Sequence, residues 1–203
     1  MNNVKMAKVP KQKRSRERVD LILKATLKVL ETDGIKALST NSIAARAGIP
    51  VSSIYQYFQN KEAILAGVYE KYLEEIRDSI ELNDKPEDRE LPWQEVFTRL
   101  RTTVEKLETR NNIDIELDMA LKLYPELMEI ERRHTDWMTD YLANSFKQMG
   151  SRWPRAKLKR LAHYLYEQNN ATWSYRIQRQ PPKNEIQGWS EAAFMAVASK
   201  CFE

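Results

Sequence analysis

The residues best equipped to recognise another molecule lie in one short stretch between Val51 and Lys61. Its serine, glutamine and tyrosine side chains donate and accept hydrogen bonds, and its lysine carries a positive charge. Side chains of this kind fit the base edges and phosphates of a DNA major groove. The members of the set are Val51, Ser52, Ser53, Gln56, Tyr57 and Lys61. The stretch therefore predicts a nucleic-acid contact surface, and a helical hairpin with a solvated polar face is the alternative.

Two short helices must position these side chains. The first is predicted at Thr40–Ala47, Gly48 interrupts the chain, and the second runs from about Val51 to Phe58. Two helices joined by a glycine-containing turn pack at a steep angle. The apolar residues expected to face a preceding helix are Ile43, Ile49, Ile54 and Phe58.

Almost every other segment repeats apolar residues at helical spacing. A first helix ends at Asp33-Gly34, because glycine adopts the left-handed conformation without steric cost. Its apolar face consists of Val19, Ile22, Leu23, Thr26 and Leu30. A long helix is predicted from Asn60 to about Leu82, where Ile64, Leu65, Val68 and Leu73 should anchor it, and Asn83–Pro92 reads as a loop. Further helices are predicted at Trp93–Glu108, Ile113–Leu123, Pro125–Met149, Pro154–Ile177 and Glu185–Cys201. No segment alternates like a strand, so the predicted fold class is all-α.

Positive charge is concentrated at the N-terminus. Residues 1–61 contain 12 lysines and arginines against 4 acidic residues, whereas residues 62–203 contain 21 basic and 25 acidic residues. A basic module on an acidic body is typical of phosphate binding. Within it, Lys11, Lys13, Arg14 and Arg16 form an arm that either adds minor-groove or phosphate contacts or is a solvated tail.

Several function classes fit the sequence poorly. Cys201 is the only cysteine, so an intrachain disulfide is impossible and a reducing cytoplasm is expected. The longest apolar run, Ala192–Ala198, is far shorter than the roughly 18 residues of a membrane span. His134 and His163 lie on different predicted helices, and no glycine-rich phosphate loop is present. We therefore expect no membrane, no metal, no cofactor and no catalytic residues, so the chain is not expected to be an enzyme.

Short motifs at fixed spacing lie within Arg16–Ala66: Thr32-Asp33-Gly34, Ser39-Thr40, Ile43-Ala44, Ala47-Gly48-Ile49, Ile54-Tyr55, Tyr57-Phe58 and Asn60-Lys61-Glu62-Ala63-Ile64-Leu65. Through these motifs the segment resembles the tetracycline-repressor (TetR) family of transcriptional regulators. The resemblance implies an N-terminal three-helix helix-turn-helix domain at residues 16–62, preceded by a flexible basic arm at 1–15. It also implies a larger helical bundle at 63–203 for ligand binding and dimerisation.

The same resemblance implies phosphate contacts at three positions. Thr40 would bond a phosphate through its hydroxyl and its backbone, and Tyr57 through its hydroxyl. Lys61 would do so at a helix N-terminus, where the helix dipole also favours an anion.

Base contacts are implied for Ser52, Ser53 and Gln56, and Val51 would meet a thymine methyl group. Tyr55 either contacts DNA or packs with its hydroxyl near the backbone. The chain departs from many family members at Pro50, where a serine is common and would cap the second short helix. Proline has a backbone angle suited to a helix start, so the geometry is expected to survive, and the phosphate contact of such a serine is placed in doubt.

For the body, the resemblance implies a pocket for an unidentified small molecule and a homodimer made by the last two long helices. The candidate pocket residues are Trp93, Phe97, Met119, Leu123, Trp137, Tyr141 and Trp173. The candidate dimer residues are Leu158, Leu161, Ala162, Leu165, Phe194, Val197 and Ala198. The alternative is that both sets belong to the core of one chain.

The function that the residues and the resemblance favour is a one-component, homodimeric, cytoplasmic repressor. It would bind double-stranded, palindromic operator DNA and be released by a small molecule. The alternative is a ligand-independent DNA-binding regulator whose body only dimerises or binds a protein. A third class, an adaptor without DNA binding, is disfavoured by the intact basic recognition surface.

Overall fold

Helical periodicity in the sequence corresponds to helices in a computed structural model of the chain, which describes residues 13–85, 90–108 and 113–203. Within those ranges the chain forms nine α-helices with short 3₁₀ turns and no β-strand, which confirms the all-α prediction. The helices are α1 Lys13–Asp33, α2 Thr40–Ala47, α3 Val51–Tyr55, α4 Lys61–Asn83, α5 Trp93–Glu108, α6 Asp114–Leu123, α7 Met128–Gln148, α8 Arg155–Arg179 and α9 Lys183–Ala198.

The second short helix is shorter than the sequence predicts. α3 ends at Tyr55, and the next two residues form a turn in which the Tyr57 and Phe58 N–H groups donate to the Ile54 carbonyl at 2.9 and 3.0 Å. This turn carries Phe58 into the core, where its side chain is fully buried. Gln56 and Tyr57 therefore lie in a turn and not on a helix face.

Two other predicted helices have a 3₁₀ turn in place of α-helix at one end. The segment predicted from Pro125 begins with a 3₁₀ turn at Pro125–Leu127, because Tyr124 is extended and its carbonyl accepts from the Leu127 N–H at 3.0 Å. The last helix ends at Ala198 and continues as a 3₁₀ turn at Ser199–Cys201. Such tighter turns are common at helix ends.

The chain divides into two compact units. One extends to Asp78 and includes Glu105–Ile130, and the other contains Ser79–Val104 and Glu131–Glu203. The first division falls inside α4, whereas the sequence places a domain boundary after residue 62, which stays a prediction. In the described ranges, no helix is sufficiently long and apolar to cross a bilayer.

The first unit is built around α1. This helix buries one continuous face, as predicted, and packs against α2 and the 3₁₀ turn at Ile35–Ala37. Its buried residues are Val19, Ile22, Leu23, Ala25, Thr26, Val29 and Leu30. α4 adds a second buried row that includes the four predicted anchors Ile64, Leu65, Val68 and Leu73.

The second unit has an aromatic core. Phe97 of α5 is buried against Phe146 of α7 and Phe194 of α9, with ring centroids 4.8 and 5.7 Å away. Trp93 stacks on Phe202 at 4.9 Å. These contacts join the first helix of the unit to its last segment.

Candidate nucleic-acid interface

α2 and α3 are held from beneath by apolar contacts. Ile43, Ile54 and Phe58 are fully buried, and α1 packs against α2. Ile49, predicted to share this face, is half-buried. Since each buried side chain can point in only one direction, the remaining residues of both helices are forced outward.

The start of α2 is fixed by a reciprocal pair of serines. The Ser39 hydroxyl accepts from the Ser42 N–H at 3.0 Å, and the Ser39 N–H donates to the Ser42 hydroxyl at 3.0 Å. This capping box satisfies N–H groups that lack partners at a helix N-terminus. Gly48 ends the helix with a φ of 64°, in the left-handed region that favours glycine.

The start of α3 is fixed by backbone geometry alone. Pro50 has φ −60° and ψ 142°, makes no side-chain cap, and accepts from the Ser53 N–H at 2.9 Å. The helix begins directly after it at Val51, so the expected local geometry is present with proline at this position.

The predicted base-contacting residues surround this short helix. Ser52 and Gln56 are exposed, and Val51 and Ser53 are half-buried. The structure therefore brings the four together at α3 and the turn that follows it, although Gln56 lies beyond the helix end. Whether they contact bases stays a prediction.

Tyr55 differs from its expected packing role. Its side chain is 53% exposed, and its hydroxyl lies 3.3 Å from the Thr40 hydroxyl. Because Thr40 is the first residue of α2, this contact links the outer ends of the two short helices. Tyr57 is half-buried, and both it and Thr40 stay predicted phosphate contacts.

Lys61 is the first residue of α4, as the sequence predicts. The Asn60 side-chain oxygen accepts from the Ala63 N–H at 2.8 Å and so caps this helix. The Lys61 ammonium lies 5.7 Å from the centre of the Tyr124 ring. This cation–π contact leaves the ammonium charge available to an anion.

Among the other basic residues of this unit, some form ion pairs and some are exposed. Arg46 and Lys71 are paired with Asp33 at 2.8 Å and Asp20 at 3.1 Å. The predicted arm residues Lys13, Arg14 and Arg16 are exposed on α1, so residues 13–15 are helical and not part of a flexible arm. Good helix formers and the absence of a breaker after Pro10 explain this extension. Lys11 lies outside the described residues.

The candidate pocket residues fall into both units. Met119 and Leu123 belong to the first unit, where Leu123 is 56% exposed, and the other five belong to the second. Trp137 and Tyr141 stack on α7 with ring centres 5.5 Å apart, and Trp173 is half-buried on α8. Phe97 and Trp93 lie in the aromatic core already described. A shared pocket stays a prediction.

Polar groups of α7 near that stacked pair bond to α8 at two positions, Glu131 and Asp140. The Tyr166 hydroxyl donates to Glu131 at 3.0 Å; burial, and then the adjacent carboxylate, raise the pKa of this tyrosine well above its ordinary value. Asp140 accepts from Lys159 at 2.9 Å and from Arg155 at 2.7 Å. The lysine hydrogen bond is the main cause that lowers the pKa of Asp140, although desolvation opposes it.

The predicted dimer residues lie mainly inside the chain. Four of them are fully buried: Leu158, Ala162, Leu165 and Ala198. The other three are half-buried: Leu161, Phe194 and Val197. Burial of the first four favours the alternative that they complete the core of one chain, because helical periodicity marks a buried face without showing what covers it.

Sequence reasoning did not single out three exposed aromatic residues on α8 and α9. Tyr164 is 58% exposed, Tyr175 49% and Trp189 63%. Their spacing in the sequence could have identified the two tyrosines, since a separation of 11 residues places two side chains on one helix face. Within the described part of the chain, no three His, Cys, Asp or Glu side chains are grouped to hold a metal ion.

Solved structures share this fold. A TetR-family transcriptional regulator from Streptomyces coelicolor is 20% identical, with a TM-score of 0.68 over 91% of this chain and 99% of the other. A transcriptional regulator from Rhodococcus sp. Rha1 is 15% identical, with a TM-score of 0.69 over 90% and 95%. The multidrug binding protein EbrR complexed with ethidium is 17% identical, with a TM-score of 0.67 over 89% and 98%. No curated protein matches the chain significantly.

The short helices α2 and α3 have a buried apolar side and an exposed polar end, and the basic helix α1 precedes them. This arrangement is that of a DNA-binding transcription regulator of the helix-turn-helix class. Residues 22–68 match the family model described as bacterial regulatory proteins, tetR family, which agrees with the resemblance seen in the sequence. Members of that family are transcription factors, which agrees with the expectation that the chain is not an enzyme.

Two serines of this interface should respond differently to alanine. Ser39→Ala removes the α2 cap and is expected to lower the free energy of unfolding by about 1 kcal/mol. Ser52→Ala, at an exposed position of α3, should change it by less than about 0.5 kcal/mol. Urea unfolding of the two variants beside the wild type measures both values. Equal losses at the two positions would contradict the capping role of Ser39.

Proposed function

We propose that this chain is a one-component homodimeric repressor. Two copies bind an inverted repeat in operator DNA through α2, α3 and the start of α4, and a small molecule in the helical body releases them. The observation that carries the proposal is the presence of three features in the first unit. They are the exposed polar end of α3, the threonine that begins α2 and the lysine that begins α4.

The DNA contacts divide into two kinds. Thr40, Tyr57 and Lys61 position the protein on phosphates, and the residues of α3 together with Gln56 read bases. Two copies related by a two-fold axis present two such surfaces, so the site is an inverted repeat with half-sites about one helical turn apart or a multiple of it.

The proposed dimer surface is the outer face of α8 and α9. Tyr164 and Tyr175 lie on one face of α8, and Trp189 on α9 is surrounded by exposed small residues. Those residues are Gly188, Ala192, Ala193 and Ala196. Aromatic side chains bury large areas, and small neighbours let helices approach closely, so this face suits a four-helix contact between copies.

The proposed effector site lies in the second unit near the Trp137–Tyr141 stack. Its support is the aromatic face that these residues present beside the polar α7–α8 contacts, and the similarity in fold to EbrR, whose complex contains ethidium. The covalent link to the DNA-binding segment is α4, whose 23 residues span roughly 34 Å.

A randomised-site selection should distinguish substitutions of base-reading residues from substitutions of phosphate-binding residues. The wild type is expected to return an inverted repeat, and Gln56→Ala a repeat with altered preference. Tyr57→Phe and Lys61→Ala should retain the preferred sequence and bind all duplexes more weakly. Lys61→Ala should also lower the slope of log affinity against log salt by about one. An unchanged preference in Gln56→Ala would remove its base-reading role.

The dimer surface is tested by charge. Trp189→Lys is expected to convert the dimer to a monomer in sedimentation at micromolar concentration, because an interface core does not tolerate an unpaired ammonium. The matched control is Leu82→Lys on α4, where an 80% exposed leucine lies away from α8 and α9 in sequence, and its dimer should persist. A dimeric Trp189→Lys would place the interface elsewhere.

Effector release is tested by linkage. Tetraphenylphosphonium is a suitable first probe, since it is an aromatic cation like ethidium but too bulky to enter between base pairs. Its affinity should fall at least about fivefold when operator is bound, and operator affinity should fall by the same factor when the probe is bound. Val68→Ala, at a buried position of α4, should change this coupling by about 1 kcal/mol. Equal probe affinities in both states would favour the ligand-independent regulator.

A further inference from the structure

One carboxylate reaches the DNA-binding segment from a distant part of the sequence. Glu116 of α6 accepts a hydrogen bond from the Ile35 N–H, with 2.5 Å between Oε2 and the nitrogen. The two residues are 81 positions apart and belong to the same compact unit. α6 also lies beside the 3₁₀ turn that Ile35 begins.

The backbone at this turn requires such an acceptor. The first N–H of a helical turn has no partner within the turn, and the preceding residue, Gly34, has no side chain to cap it. Gly34 has φ 74° and ψ 172°, a conformation essentially restricted to glycine. Glu116 Oε1 lies 3.4 Å from the position that a β-carbon on Gly34 would take. The carboxylate therefore occupies the place from which a capping side chain would act.

This turn sets the entry of the chain into α2. The Leu38 N–H donates to the Ile35 carbonyl at 3.2 Å, and the Ser42 hydroxyl donates to the Ala37 carbonyl at 2.9 Å. Ser39 then caps α2, whose first residue is Thr40. A bond at Ile35 thus acts four residues before the cap and five before the proposed phosphate contact.

We propose that Glu116 is a positioning residue for DNA binding: its carboxylate holds the α1–α2 turn so that Thr40 and the start of α2 are placed for the phosphate backbone. The role rests on the proposed function, in which Thr40 contacts a phosphate. Glu116 itself does not contact DNA.

The sign of the effect separates this role from simple charge. A carboxylate near a DNA-binding surface repels phosphates, so its removal should strengthen binding if only long-range charge matters. A positioning residue gives the opposite result, because losing its hydrogen bond frees the turn. Two substitutions isolate the bond. Glu116→Asp keeps the charge but withdraws the carboxylate by one methylene group, and Glu116→Gln removes the charge but keeps an acceptor oxygen.

The experiment measures operator affinity by fluorescence anisotropy at fixed salt, on a duplex selected with the wild-type protein. Glu116→Ala and Glu116→Asp should each weaken binding about 3- to 10-fold. Glu116→Gln should stay within about twofold of the wild type. The charge control is Glu126→Ala, which removes the same charge from an exposed position of the following 3₁₀ turn and should bind as well as the wild type or better.

Hydrogen exchange in the free protein supplies a second readout. Peptides covering residues 34–42 should exchange faster in Glu116→Ala and Glu116→Asp, and peptides from α8 should be unchanged. If the wild type binds duplex DNA and both variants bind equally well, the positioning role is wrong while the proposed function stands. If the wild type binds no duplex, the proposed function fails, and the positioning role fails with it.

Discussion

Helices as short as α2 and α3, with eight and five residues, are not stable alone in water, because a first helical turn fixes many backbone angles for one hydrogen bond. The DNA-contacting part of this chain therefore depends on the apolar contacts beneath it. Ile43, Ile54 and Phe58 are fully buried, and each such side chain contributes roughly 1.5–3 kcal/mol. This burial fixes the orientation of both helices, and with it the direction in which their polar residues point.

The second unit uses a different combination of forces. Its aromatic core joins α5, α7 and α9, while polar pairs hold α7 against α8. Apolar contacts alone would allow one helix to rotate or slide against another. The α7 residues that make these bonds, Glu131 and Asp140, are nine residues apart, and together the bonds restrict both movements. Trp137 lies between Glu131 and Asp140 in sequence, and its stacking partner Tyr141 directly follows Asp140, so both rings are carried by a restrained part of α7.

Local pattern predicted most of the helices but few of the contacts between them. The bounds of α2 and α5 agree with the sequence because capping serine, proline and glycine residues mark helix ends directly. The end of α3 differs from the sequence prediction, because tertiary packing buries Phe58 in the core and ends the helix at Tyr55. The burial of Leu158 and Ala162 was predicted only as an apolar face, because periodicity does not distinguish a chain's own core from a partner. The Glu116 contact spans 81 positions and has no local signal.

The geometry at Pro50 has a consequence for how such a regulator diversifies. The entry into α3 is set by the Pro50 ring and by Gly48 two residues earlier, and the helix is anchored by the buried Ile54. Ser52 and Gln56 are exposed, so substitutions there alter little of the folded core. Under the proposed function, mutation can therefore explore new operator sequences at these positions almost without loss of stability. The same separation makes the end of α3 a natural place to retarget the protein by design.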